Sequence, residues 1–183
     1  EMADLAGIAF GSGPGSFTGV RIACGVTQGL ALALNLRVKG VSTLEVLAEE
    51  THAACGAERV LVCLDARMGE VYHAACTRNA GGDGWMLAEV PAVCRPEDVP
   101  CTEGTGWTGA GSGFAAHGDV LMKAHGARLV QTFPDIFPTA RAVLALARPA
   151  LLAGQGDDPA DALPLYVRNK VALTVAERAA RRA

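Results

Sequence analysis

The sequence predicts an α/β protein, and three observations support this fold class. First, a short apolar run, Leu5–Phe10, leads through a glycine-rich loop into a long apolar helix that begins near Gly19. Second, another strand and another helix follow, which gives a βαβα order. Third, two apolar runs flank Met68 and Gly69, and this arrangement predicts a β-hairpin over residues 59–77.

Capping and turn residues set the boundaries of the individual elements. Ser16 or Thr18 is expected to cap the first helix, and Ser42 with Glu45 forms a capping box for the second. The predicted elements, in chain order, are strand Leu5–Phe10, helix Gly19–Leu34, strand Arg37–Val41, a helix from Ser42 to Cys55, strands Arg59–Arg67 and Glu70–Thr77, strand Trp85–Val90, strand Cys101–Gly106, helix Trp107–Ala116, helix Pro138–Ala153 and an extended segment Leu163–Asn169.

The composition indicates a globular chain that is large enough to bury a core. It has 183 residues, half of them apolar, with a formal net charge of −3. This charge argues against a general nucleic-acid binder, so any contact with RNA is expected to need a partner. Six cysteines without a CxxC pair suit reduced thiols, and the apolar runs are interrupted by glycine and charge, so we expect a cytoplasmic protein that does not enter a membrane.

The glycine-rich loop is a candidate phosphate loop. Gly13, Gly15, Ser16 and Thr18 stand between a strand and a helix, where backbone N–H groups can point at an anion. The alternative is a tight turn in which Ser16 or Thr18 only caps the helix. The loop has no Lys after its last glycine, which a Walker A loop requires.

The helix after this loop carries a ridge of small residues and a separate apolar stripe. Gly25, Gly29 and Ala33 recur every four residues, which allows another helix to approach closely. Because the helix is apolar on more than one face, we expect its own sheet on one side and a second helix or a partner on the other. The candidate interface residues are Arg21, Ile22, Gly25, Val26, Gly29 and Ala33.

Tests for metal ligands and nucleophiles are negative. The four histidines form no i, i+4 pair and no HExxH motif, so no metal is predicted. Ser16 does not lie in the GxSxG motif of hydrolases, and we assign no catalytic residue.

Charged and aromatic residues near the hairpin and the C-terminus have no assigned role. Asp65, Arg67 and Glu70 lie on or beside the hairpin turn, where an exposed ion pair with Arg67, an interface role and acid–base catalysis all stay open. Near the C-terminus, we expect packing onto the first lobe by Tyr166, Arg168 and Asn169.

Several blocks of the chain resemble one family, the bacterial TsaB (YeaZ) proteins. They are GSGPGSFTGVRIACGVTQGLA at residues 11–31, LDARMGEVYHA at 64–74 and LPLYVRNKVA at 163–172, together with residues 40–44 and 104–107. The blocks occur in the family's order and span nearly the whole chain.

The resemblance implies the two-lobed fold of actin, sugar kinases and Hsp70 ATPase domains (ASKHA). It also implies that the first strands and first helix of lobe one are missing from this chain and precede Glu1 in the family. We therefore expect residues 1–57 to form the remainder of the N-terminal lobe and residues 58–183 the C-terminal lobe, whose last helix packs back on lobe one.

The resemblance further implies a non-catalytic subunit of the complex that attaches threonylcarbamoyl to adenosine 37 of tRNA. The expected partners are a TsaD-like catalytic subunit and a TsaE-like ATPase, with tRNA contacted indirectly and a homodimer in isolation. No cofactor is expected on this chain alone, and ATP or ADP is expected at the interface of the complex. Two alternatives stay open: an ATP-dependent phosphotransferase that uses residues 11–19, and a glycopeptidase-like hydrolase.

Overall fold

The structure, a computed structural model, describes residues 5–168 and arranges them around two β-sheets. The strands are β1 (Ile8–Gly13), β2 (Val38–Ser42), β3 (Arg59–Asp65), β4 (Val71–Arg78), β5 (Trp85–Leu87), β6 (Ala92–Cys94), β7 (Trp107–Ala110) and β8 (Leu129–Phe133). The α-helices are α1 (Phe17–Leu34), α2 (Thr43–Cys55), α3 (Ser112–His125) and α4 (Ala140–Leu152). Asn169 lies outside the described residues.

The first sheet pairs β1 and β2 in parallel. Helix α1 covers one face and buries Cys24, Thr27 and Ala31 there. Helix α4 covers the other face, where Ala147 and Leu151 pack with Val41, Val46 and Ala142. This small sheet is therefore enclosed between two helices, as expected for parallel strands.

The second sheet has the order β5–β4–β3–β7–β8, and β6 also pairs with β4. Strands β3, β7 and β8 run parallel, whereas β4 is antiparallel to β3, β5 and β6. Because side chains alternate across a strand, Val60 and Val62 of β3 pack against α2, while Leu61 faces the core formed with α3.

Local capping chemistry agrees with the sequence at both N-terminal helices. The Ser16 hydroxyl accepts a hydrogen bond from the Gly19 N–H, so Ser16 rather than Thr18 is the cap of α1. The Ser42 hydroxyl accepts from the Leu44 N–H at the start of α2. Burial raises the pKa of the Glu45 carboxyl, and a hydrogen bond with the Ser42 backbone opposes this rise, as a capping box requires.

The prediction for residues 101–116 is wrong. Residues 101–106 form no strand, and Trp107–Ala110 is the buried parallel strand β7, not the start of a helix. Gly111 separates β7 from α3: its φ is +99°, and a Cβ there would lie 2.6 Å from the Cys63 carbonyl oxygen. Four residues are too few to show whether the apolar positions repeat as in a strand or as in a helix. Parallel pairing with β3 and β8 makes this segment a strand.

Other strand boundaries also differ from the sequence prediction. Strand β1 lies three residues further along than expected, and the strand predicted over Trp85–Val90 ends at Leu87. Strands β6 and β8 were not predicted, because they have three and five residues and little alternation. Their existence depends on pairing with β4 and β7.

Helix α1 is long and apolar enough to cross a membrane by length and composition alone, whereas the sequence predicts apolar runs that are too interrupted to span one. Its 18 residues have a mean hydropathy of 1.4, and 17% of them are buried. A single helix of this kind is weak evidence of a span, because buried core helices and signal sequences near an N-terminus have the same length and composition. The proposed division of the chain at residues 57 and 58 stays a prediction.

We predict that Leu47→Ala destabilises the fold by about 2–5 kcal/mol, because it leaves a cavity between α2 and the second sheet. Chemical denaturation of the purified chain measures this change. Leu152→Ala is the matched control: Leu152 is 63% exposed, so its effect should stay within about 0.5 kcal/mol. Equal effects of the two substitutions would contradict the central position of α2.

Candidate functional site

A cleft of about 500 Å³ lies where three sequence blocks meet. Its walls come from the loop after β1 (residues 14–17), the hairpin between β3 and β4 (residues 64–68) and the C-terminal segment 165–168. These stretches belong to the three blocks that carry the family resemblance. The volume is within the usual range for small-molecule sites.

The glycine-rich loop contributes only part of its predicted residues to the cleft. Gly15 and Ser16 line it, whereas Thr18 lies exposed in the first turn of α1. Gly13 is buried with a φ of +109°, and a Cβ there would lie 3.2 Å from the Leu165 carbonyl oxygen. The Ser16 hydroxyl serves as the helix cap, and a phosphate-binding role of the loop stays a prediction.

The hairpin turn has a constrained backbone at the edge of the cleft. Arg67 and Met68 have positive φ angles of 63° and 59°, which non-glycine residues rarely adopt. Asp65 holds this turn because its carboxylate accepts hydrogen bonds from the Arg67 backbone N–H and guanidinium, at 2.9 and 3.1 Å. Residues in such conformations often lie at functional sites.

The segment of residues 162–168, which we call the strap, joins the first sheet to the hairpin. The Ala162 carbonyl accepts from Gln28 Nε2 at 3.1 Å, and the Leu165 N–H donates to the Ser12 carbonyl at 2.7 Å. At the far end, Arg168 Nη2 lies 2.7 Å from Glu70 Oε2 and donates to the Ala66 carbonyl at 3.0 Å. The strap thus connects α1 and β1 with the β3–β4 turn.

Arg21, Phe17 and Tyr166 form a cation–aromatic cluster, and the two aromatic residues of this cluster line the cleft. The Arg21 guanidinium lies 3.5 Å from the centre of the Phe17 ring and 5.4 Å from that of Tyr166. Arg21 Nε also donates to the Tyr166 hydroxyl at 2.9 Å. The strap therefore fixes a cation that α1 provides.

The outer face of α1 is open in the described part of the chain. Ile22, Val26 and Leu30 are 60%, 56% and 50% exposed, and added Cβ atoms on Gly25 and Gly29 would meet nothing within 4 Å. The prediction that one side of α1 packs on its own sheet is confirmed, because Cys24 and Ala31 are buried there. Among residues 5–168, no second helix covers the ridge that Gly25, Gly29 and Ala33 form.

Phe17 and Tyr72 also line the cleft, and neither is among the site residues that the sequence predicts. The spacing of Phe17 and Arg21 offered a signal, since residues four apart on a helix are neighbours. The sequence around Tyr72 gave no such signal. Its position next to the cleft depends on the register of β4 against β3, which places Tyr72 opposite Leu64.

A second concavity of about 500 Å³ lies on the second sheet and contains none of the predicted site residues. Arg59, His73, Thr102 and Trp107 are among its lining residues. Burial lowers the pKa of His73, so its imidazole is predominantly neutral at pH 7. Within the described range, no cluster of three or more His, Cys, Asp or Glu residues forms that could hold a metal ion.

We predict that Arg168→Ala destabilises the chain by about 1–3 kcal/mol, because it leaves the partly buried Glu70 and the Ala66 carbonyl without their donor. Chemical denaturation and hydrogen exchange at residues 66–70 measure the loss. Arg67→Ala removes an equal charge from a side chain that is 88% exposed, and should change stability by less than about 1 kcal/mol. No difference between the two would argue against the strap as a connection between the sheets.

Comparison with known proteins places this geometry in a family. A family model described as TsaD, tRNA N6-adenosine threonylcarbamoyltransferase, matches residues 1–99, which is more than half of the chain. The TsaB protein of Escherichia coli K12, a tRNA threonylcarbamoyladenosine biosynthesis protein, is 40% identical over 175 residues, covering 94% of this chain and 74% of that protein. TsaB of Haemophilus influenzae is 34% identical over 172 residues, covering 90% and 70%.

A solved structure shares the fold as well as the sequence. It is a Pseudomonas aeruginosa protein described as uncharacterized, with similarity to peptidase YEAZ; it has a TM-score of 0.82, is 40% identical, and the match covers 92% of this chain and 76% of that one. The α/β arrangement described above is therefore that of the two-lobed ASKHA fold. On the combined evidence of sequence and structure, the chain belongs to the TsaB (YeaZ) family.

Proposed function

We propose that this chain is a non-catalytic partner subunit in the biosynthesis of threonylcarbamoyladenosine at position 37 of tRNA. It binds a TsaD-like catalytic subunit through the outer face of α1 and supports the activity of that subunit. The names of its relatives support the pathway. The observation that carries the proposed role is the open ridge of small residues on α1.

The surface of α1 suits a helix from another chain. Gly25 and Gly29 leave room for a backbone to approach closely, while Ile22, Val26 and Leu30 offer apolar side chains to bury. An exposed apolar face of this kind typically marks a protein–protein contact. In isolation the same face supports a homodimer, which the catalytic subunit then replaces.

The side chains around the cleft favour a supporting role over catalysis. The cleft lining within the described residues contains no histidine, and the Ser16 hydroxyl already caps α1. The Asp65 carboxylate accepts from Arg67 at 3.1 Å, and His117 Nε2 lies 3.9 Å from it, beyond hydrogen-bond distance. Neither a phosphotransferase nor a glycopeptidase-like hydrolase gains a placed nucleophile and base from this arrangement.

The remaining parts of the proposal concern the assembly. A TsaE-like ATPase joins the complex, ATP or ADP binds at the interface between subunits, and tRNA is contacted through the complex. We place this assembly in the cytoplasm. The acidic net charge supports an indirect contact with tRNA, because binding to phosphates needs clustered basic residues.

We predict that Gly29→Leu weakens binding to the TsaD-like subunit by at least about tenfold, because the added side chain holds the partner helix away. The isolated chain should keep or gain up to about 1 kcal/mol of stability, since Gly29 is exposed and a Cβ there meets no neighbour. Calorimetric titration into the purified partner measures binding, and sedimentation measures any homodimer.

The matched control is Gly118→Leu on α3, where a Cβ also meets nothing within 4 Å. It should leave association unchanged. Unaltered binding by the Gly29 variant would show that the outer face of α1 is not the interface.

We predict that the isolated chain neither binds nor turns over ATP measurably, whereas the complex with its partners binds it. Calorimetry and a phosphate-release assay check this. If the isolated chain hydrolysed ATP and Gly15→Val abolished the activity, the phosphotransferase alternative would replace the proposed function. The substitution suits this purpose, because a Cβ on Gly15 makes only an ordinary 3.6 Å contact with Val20.

A further inference from the structure

Helix α1 carries a single charge on an otherwise apolar and neutral helix. Of its residues Phe17–Leu34, only Arg21 is charged, and the helix contains no Asp or Glu. Arg21 lies one turn before Gly25, so it stands at the rim of the open outer face. A partner that covers this face therefore meets the guanidinium.

The guanidinium is held in place but is not neutralised within the described part of the chain. Phe17 and Tyr166 provide aromatic rings, and the Tyr166 hydroxyl accepts from Nε. Neither terminal nitrogen has an acceptor among residues 5–168, and no carboxylate there pairs with Arg21. A positioned Arg with unused N–H groups matches a carboxylate, which accepts two parallel hydrogen bonds.

We propose that Arg21 is the residue that selects the catalytic partner over a second copy of this chain, by binding a carboxylate on the partner's helix. This inference rests on the proposed function, because it assumes that α1 is the interface. A twofold pairing through the Gly25 and Gly29 ridge places α1 against α1, which offers no carboxylate to Arg21. The catalytic partner gains a charge-assisted contact that the self-pair lacks.

Tyr166 is a positioning residue in this arrangement. It belongs to the strap, whose Arg168 is anchored to the hairpin turn, so the position of Arg21 depends on the closure of the strap. Tyr166→Phe keeps the aromatic ring and removes the acceptor for Nε. In this variant the nuclear magnetic resonance signal of the Arg21 Nε–H should shift and binding to the TsaD-like subunit should weaken while the stability of the chain is kept, whereas a purely structural role of Tyr166 would lower stability and leave binding by the folded chain unchanged.

The test compares Arg21→Gln and Arg21→Glu with Arg148→Gln, an equal change in charge on the exposed surface of α4. We expect Arg21→Gln to weaken the complex with the purified TsaD-like subunit about tenfold or more and to lower its salt dependence. Arg21→Glu should weaken it further, since two carboxylates would then face each other. The self-association constant should change less than about twofold with Arg21→Gln, and Arg148→Gln should alter neither equilibrium.

Other outcomes would overturn the inference in distinguishable ways. If Gly29→Leu breaks the complex but both Arg21 variants bind normally, the proposed interface stands and the carboxylate contact is wrong. Equal loss of the self-pair and the heterocomplex in Arg21→Gln would exclude a role in selection. If only tRNA binding by the assembled complex falls, Arg21 contacts a phosphate rather than the protein partner. A chain that stays monomeric at every concentration tested would overturn the selection against a self-pair.

Discussion

The position of helix α2 between the two sheets determines the geometry of the rest of the molecule. Leu44 and Leu47 are fully buried against the second sheet, while Val46 is fully buried against the core that α4 forms with the first sheet. Two of its three carboxylates form ion pairs: Glu49 pairs with Arg78, and Glu50 with Arg141. Without these partners, burial of the charges would oppose the packing that α2 provides.

This shared helix sets where the loop after β1 and the hairpin after β3 lie relative to each other. Each of them follows a strand, and the sheets of both strands pack on α2. The packing on α2 therefore determines the width of the cleft between the loop and the hairpin. The strap adds a second connection through Leu165 at one end and Arg168 at the other. The two walls of the cleft are thus held together by α2 in the core and by the strap at the surface.

Helix α1 belongs to two surfaces at once. Its N-terminus reaches the cleft through Ser16 and Phe17, while its outer face is open at Ile22 and Gly29. Arg21 and Tyr166 lie where these surfaces meet. Any partner seated on the outer face therefore lies next to the strap.

Much of the fold and some of the site could be predicted from the sequence alone. Local chemistry determined α1, α2 and the β3–β4 hairpin, because Ser16 and Ser42 cap helices and Gly69 fits a turn with positive φ. The ridge of small residues at Gly25 and Gly29 could also be predicted from the sequence, since it depends only on the spacing of residues along a helix. Tertiary structure alone decided that Trp107–Ala110 is a strand, that β8 exists, and that Tyr166 meets Arg21 across 145 positions of sequence. Parallel pairing and a strap contact join residues that are distant along the chain, and local propensity contains no information about such neighbours.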